Sequence, residues 1–307
     1  MSDVEKPWFA LRERNLAREK RARLQYWIGV ATKTFAVAAF IVLTNFGFLD
    51  RVSLLAQNGL TPVLCTQTAG NITEADYVEL LLGQHVSGIV FVGGNYAQRD
   101  APHTHYERLT RRKLPAVLIN AAIDDLPFAR VACDDEVAVE QAMGHLVSLG
   151  HTRIGLLMGP ADHVPSERKL RAALAMAERV GIALGSDRVV RSAYSLESGQ
   201  AAAARLLKTG VTGIVCASDP LALGAIRAVR RAGLRVPQDV SVVGYDDSAL
   251  MNCTDPPLTT VRQPIERMGR AAIDLLVGEI SGATVTHDEL RFEPELVVRG
   301  STAPAAG

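Results

Sequence analysis

The chain has 307 residues, nearly half of them hydrophobic, which is enough to bury a sizeable core in two lobes. Its 33 lysines and arginines balance 33 aspartates and glutamates, so the chain as a whole offers no basic surface for nucleic acid, and only a local patch could supply one. Cys65, Cys133, Cys216 and Cys253 show neither CxxC nor Cys/His ligand spacing, and the first three lie in or beside apolar runs, which predicts reduced, buried thiols of a cytosolic protein.

Residues 1–27 carry Arg12, Arg14, Arg18, Lys20, Arg21 and Arg23, diluted by Glu13 and Glu19, a pattern for a polar helix or a disordered basic arm. Residues 28–49 are apolar and long enough to span a bilayer behind that basic cluster. Lys33, Asn45 and two glycines interrupt the run, which also suits a distorted first strand and helix, or a start that is not native. No small-x-small cleavage site follows it, which argues against a secretory signal.

From Asp50 the pattern is regular. Asn58-Gly59 is the left-handed stop of a helix ending at Gln57. Thr61 to Cys65 is a short strand, and Thr73 caps a helix that runs to Gly83. Strands follow at 89–92, 116–119 and 129–133, with helices at 106–112 and at 136–149, the latter stopped by Gly150. The second half repeats the plan, with strands at 154–157, 189–190, 213–217 and 240–243 alternating with helices at 166–180, 198–208 and 221–232. A helix at 265–280 and a strand at 296–299 complete the chain. Strand and helix alternating at short spacing imply parallel sheets with right-handed crossovers.

The most informative stretch runs from Val236 to Leu250. Val240, Val242 and Val243 form a β-branched run of the kind buried in a parallel sheet, and Gly244 ends it. The strand delivers Tyr245, Asp246 and Asp247 to the carboxyl edge, where open α/β sheets bind small ligands and where two carboxylates can accept hydrogen bonds from hydroxyls.

With Pro256-Pro-Leu-Thr-Thr-Val-Arg-Gln-Pro264, this stretch resembles the effector-binding core of the LacI/GalR family of bacterial transcriptional regulators. Val86-Ser-Gly-Ile-Val-Phe91, His145-Leu-Val-Ser-Leu-Gly-His-Thr-Arg-Ile-Gly155 and Ala217-Ser-Asp-Pro-Leu-Ala-Leu-Gly224 resemble it in the same order, and the likeness runs from about Gly59 to Gly300. The resemblance implies an α/β fold of the periplasmic-binding-protein-like type I, two parallel-sheet lobes with the ligand cleft between them. It sets the first lobe at 28–157 with 258–290, the second at 158–257 with 291–300, and a disordered tail at 301–307. Ile28-Gly-Val-Ala resembles the family's first core strand. Regulators of this family begin with a helix-turn-helix, and no such segment is evident here, so the DNA-reading head is expected to be absent, truncated or replaced.

The same resemblance nominates site residues. Asp246 matches the acidic position that binds a sugar hydroxyl, against the plainer reading of a turn aspartate, with Tyr245 beside it and Asp247 as a structural partner. Asn120 matches a pocket position whose amide both donates and accepts, or it serves a loop. Asp134 matches another, though a helix cap is the simpler role. Two departures stand out. Lys169, beside Arg168, occupies the place of a family arginine, and Ser218 stands where an asparagine is common.

Other signals are weaker. His103 and His105 share a loop with Asp100 and read as solvated side chains, not metal ligands. Gly93-Gly94 lacks dinucleotide spacing, and no nucleophile elbow, phosphate-binding loop or HExxH occurs. The expectation is therefore a cytoplasmic, homodimeric regulator and not an enzyme, with a sugar-like effector, DNA as a family partner, and no cofactor or metal. A solute-binding protein held at a membrane by residues 28–49 is the alternative.

Overall fold

The computed structural model describes residues 36–41, 55, 57–66, 72–120 and 125–305. The basic arm and Ile28 to Ala31 lie outside these residues. Two six-stranded sheets form the molecule. The first contains β1 (Ala36–Ile41), β2 (Thr61–Thr66), β3 (Gly88–Val92), β4 (Ala116–Ile119), β5 (Ala129–Cys133) and β11 (Glu289–Phe292), in the order β11-β5-β4-β3-β1-β2, all parallel. The second contains β6 (Ile154–Met158), β7 (Val189–Arg191), β8 (Gly213–Cys216), β9 (Ser241–Asp246), β10 (Thr259–Arg262) and β12 (Glu295–Val297), in the order β12-β10-β9-β8-β6-β7. Only β12 in the second sheet runs antiparallel to its neighbour.

From residue 72 on, the α-helices among the described residues are α1 (Glu74–Gly83), α2 (Thr104–Arg111), α3 (Asp135–Ser148), α4 (Val164–Arg179), α5 (Leu196–Leu207), α6 (Asp219–Arg231) and α7 (Ile265–Ile280). Local chemistry sets their starts. Thr73 and Asp76 form a reciprocal capping box on α1, and Pro165 and Pro220 sit in the first turns of α4 and α6, where a missing N–H costs nothing.

Each sheet is buried on both faces. In β3, Ile89 and Phe91 pack with Val78 and Leu81 of α1 and Tyr106 and Leu109 of α2. Val90 and Val92 point the other way, into the cluster that contains Ala272, Ile273 and Leu276 of α7. Each such fully buried side chain stabilises the fold by about 1.5–3 kcal/mol.

Sheet membership moves the expected boundaries. The chain leaves the first sheet at Cys133, because Asp134 caps α3 and α3 packs on α4 and the second sheet. β6 therefore belongs to the second lobe, not the first. β10 also belongs to the second sheet, so the return to the first lobe falls at Gln263-Pro264, before α7, and not at Pro257-Leu258. The last crossing lies between Phe292 and Glu295.

The first core strand among the described residues lies at 36–41, between β2 and β3. A strand paired on both sides there is incompatible with a spanning helix over 28–49, and no helix among the described residues is long and apolar enough to cross a membrane.

The chain end is also ordered, contrary to expectation, through residue 305. Ser301 is buried, with its Oγ accepting from Thr259 N–H at 2.8 Å and donating to the Val242 carbonyl at 2.6 Å. His151 of the Leu-Gly-His-Thr-Arg motif is buried against Thr212, Ser241 and the Ala303 carbonyl, tying the start of the second sheet to this segment. Cys65, Cys133 and Cys216 are buried free thiols, and Cys253 is free and exposed.

Candidate functional site

In both sheets the strand order reverses direction beside the first strand of the lobe, β1 or β6, and the carboxyl ends of the strands face a common cleft. That is where doubly wound sheets receive ligands. A cavity of about 480 Å³ occupies the cleft. The residues just past β3, β4 and β5 supply Gly93, Asn120 and Asp135, and those past β6, β8 and β10 supply Pro160, Ser218 and Gln263, while Tyr245 and Asp246 end β9.

Of the residues nominated from sequence, Asn120, Lys169, Ser218, Tyr245 and Asp246 line the cavity. Asn120 and Asp246 hold positive φ angles of 76° and 118°, conformations that a side chain other than glycine adopts only when its surroundings enforce them. For Asp246 the enforcement is visible. Gln263 Nε2 donates to its Oδ1 at 2.7 Å, and the backbone N–H of Asp219, at the start of α6, donates to the same carboxyl group. Asp219 in turn accepts from Thr260 Oγ1 at 2.6 Å and Ser248 N–H at 2.7 Å. Gly244 makes room for this, because a Cβ there would stand 2.6 Å from Asp219 Oδ1.

Burial, then the neighbouring Asp219 charge, pushes Asp246 up to about 8, and burial pushes Asp219 up to about 6. Burial is the main cause in both, so Asp246 keeps its proton near neutral pH. Asp246 can thus both donate to and accept from a hydroxyl.

Lys169 projects from α4 against Asp135, with Nζ 2.6 Å from Oδ1, and both side chains are nearly inaccessible at 6% and 5% exposure. Its ammonium also lies 3.9 Å from the centre of the Tyr245 ring, and the Tyr245 hydroxyl donates to Asp135 Oδ1 at 3.3 Å. Burial opposes the charge on Lys169, and Asp135 more than offsets this, so its pKa is raised. Half-buried His163 and Tyr194 close the second-lobe side, with Tyr194 Oη 3.2 Å from His163 Nδ1. Burial, then Lys169, lowers His163 to about 4, leaving a neutral ring. Ser218 Oγ caps α6 at 3.4 Å from Leu221 N–H.

Two nominations are corrected. Asp134 faces away from the cavity, because its carboxylate caps α3 by accepting from Glu136 and Val137 N–H at 3.0 and 3.2 Å; the cavity carboxylate is the next residue, Asp135. Arg168 also points elsewhere, with Nη1 2.8 Å from both oxygens of Glu289 on β11. Asp247 is structural, held by Arg262 Nε and Arg299 Nη2 at 2.7 Å each.

Sequence reasoning missed Gln98, His163, Tyr194 and Gln263. Gln263 was within reach, since it directly follows β10 in the quoted Thr-Val-Arg-Gln-Pro motif. The others sit in loops without a local signature. His105 is likewise buried in α2 and not solvated, and no group of metal-ligating side chains occurs among the described residues.

Two doubly wound lobes, linked by three crossings around a polar cleft, define a periplasmic-binding-protein-like sensor core. The profile of the periplasmic binding protein-like domain matches residues 143–302. The HTH-type transcriptional regulator MalR of Streptomyces coelicolor is 48% identical over 257 residues, which cover 82% of this chain and 75% of MalR. The complex of the transcriptional regulator CelR with cellobiose superimposes with a TM-score of 0.77 at 30% identity, covering 98% of this chain and 92% of that one. The lac repressor dimer bound to operator and the anti-inducer ONPF gives 0.74 at 26% identity, covering 92% and 98%. The chain belongs to the LacI family of transcriptional regulators.

Proposed function

We propose that this chain is a cytoplasmic, homodimeric LacI-type regulator whose cleft binds a sugar or sugar derivative and so controls DNA binding. The observation that carries the reading is the corner at Asp246. A carboxyl able to donate and accept faces a cavity lined from the other lobe by the Asn120 amide. Proline and tyrosine surfaces at Pro160, Pro165, Tyr194 and Tyr245 supply the apolar lining that small-ligand sites combine with a few polar groups. The cellobiose bound to CelR and the operator bound to the lac repressor dimer support the same assignment.

Lys169, Asn120, Ser218, Tyr245 and Asp246 are the ligand-binding residues in this reading, joined by Asp135 and Gln263. A binding role for the cavity accords with relatives that are transcriptional regulators. An effector shifts the lobe arrangement only by its difference in affinity for the two states. The basic arm at 1–27 would add non-specific, salt-dependent DNA affinity. The membrane-held solute-binding reading loses support, since β1 occupies the segment it needed and the relatives are regulators.

A thermal-shift panel of sugars, polyols and nucleosides, with cellobiose and ribose included, tests the reading, because a ligand bound only by the native state raises the melting temperature. At least one sugar should give a concentration-dependent rise. A flat response to every sugar alongside a rise with nucleosides would replace the assignment.

A further inference from the structure

Directly behind the first-lobe wall of the cavity lies a buried polar cluster that the site does not use. Glu74 opens α1, yet its side chain turns inward and is 2% exposed. His105 Nε2 donates to Glu74 Oε1 at 2.7 Å, and the Tyr106 hydroxyl donates to the same oxygen. Asn95 N–H donates to Glu74 Oε2 at 3.2 Å, while the Tyr106 hydroxyl accepts from Tyr96 N–H at 2.9 Å. Tyr96 carries the chain of bonds onward, its hydroxyl accepting from Gly93 N–H at 2.5 Å and donating to the Ile119 carbonyl. His103 Nε2 meets the Asn95 carbonyl at 2.8 Å. The Gly-Gly and His-x-His features of the sequence thus converge on one carboxylate.

What this carboxylate holds is the segment from Gly93 to Arg99. Gly93, Gly94, Asn95 and Gln98 line the cavity. Immediately beyond them Arg99 N–H donates to the Asp162 carbonyl at 2.9 Å, and Gln98 forms a backbone bridge with His163, so the segment also grips the second lobe. Both contacts follow β3 and β6, on the far side of the cleft from the three crossings. Gly94 fits only because it has no side chain, since a Cβ there would collide with Glu74 Oε2. Without the carboxylate, the Asn95 amide loses its acceptor in a part-buried setting, a costly state for a backbone N–H.

We propose that Glu74, acting with His105 and Tyr106, is a positioning residue that presets the Gly93–Arg99 wall of the effector cavity and its grip on the second lobe. This rests on reading the cavity as the effector site, but its test uses no effector, so the two fail separately.

The test is amide hydrogen exchange on the full, unliganded chain in wild type, Glu74→Gln and Tyr106→Phe. Glutamine leaves one acceptor oxygen where the carboxylate offered two, so it cannot accept on both sides, from Asn95 N–H and from the His105 and Tyr106 donors. Phenylalanine keeps the ring against Phe91, whose centroid is 5.3 Å away, and deletes only the bridging hydroxyl. If Glu74→Gln does not fold, Tyr106→Phe carries the test alone. Amides 93–99, including Arg99 whose acceptor belongs to the other lobe, should exchange at least ten-fold faster. Amides of β4 and β8 should keep their wild-type rates. Unchanged exchange at 93–99 overturns the proposal, and so does an equal rise across the first lobe, which would mark the cluster as general scaffolding.

Discussion

Replacing Lys169 with methionine removes one half of a buried ion pair and leaves Asp135 with a single weak donor, the Tyr245 hydroxyl at 3.3 Å. Both side chains are more than nine-tenths inaccessible, so solvent screens little of the loss. Breaking such a pair from one side costs about 3–5 kcal/mol, most of it the penalty of an uncompensated charge. The lost contact with the Tyr245 ring is part of that figure and not an addition to it. The companion change Asp135→Asn removes the stranded charge, so Lys169→Met/Asp135→Asn should recover at least half of the cost. Urea unfolding followed by far-ultraviolet circular dichroism measures all four members of the cycle without any ligand. A single-variant cost below about 1 kcal/mol, in the range of exposed pairs, would refute the reasoning, and so would double-variant losses that simply add.

Other outcomes follow from the same geometry. Asp246 and Asp219 have folded values of about 8 and about 6 against an ordinary 3.8, so the native state keeps protons that the unfolded chain releases. Their stabilisation is full below 3.8 and is lost as pH rises through those folded values; urea midpoints at pH 5 and pH 8 should therefore differ less in Asp246→Asn than in wild type. His163 acts on the acid side. Its value of about 4 lies below 6.5, so its term is full above pH 6.5 and fades as pH falls, and His163→Gln should flatten the acid limb of the melting-temperature profile. Asp134→Ala should cost about 1 kcal/mol in urea unfolding through the lost cap of α3, with sugar-induced thermal shifts intact. Ser301→Ala strands the Thr259 N–H and the Val242 carbonyl and should cost about 2 kcal/mol by the same assay.

Much of the fold was legible because parallel strands buried on both faces are unbroken apolar runs. Ala116–Ile119 and Ala129–Cys133 fall where the sequence predicts them, bounded by Pro115 and Asp134. The lobe boundaries were not, because Pro256-Pro257 looks like a domain crossing but only turns the chain into β10, while the true crossing needs sheet pairing to be seen. At the site, residues ending a strand were readable from strand direction alone, as with Asn120 and Asp246. Arg168 and Lys169 are neighbours on a helix and point roughly 100° apart, so one meets Glu289 and the other the cavity. Asp134 and Asp135 divide in the same way between cap and pocket, and only the register of α3 decides which does which. Glu74 and His105 are 31 residues apart, and no local pattern announces their meeting.

The most direct measurement is a crystal structure of the chain with the sugar that stabilises it most. That sugar should lie in the 480 Å³ cavity, with hydroxyls within hydrogen-bond distance of Asp246 and Asn120 and both lobes in contact. A sugar bound outside the cleft, or seated in it without touching Asp246, would contradict that expectation.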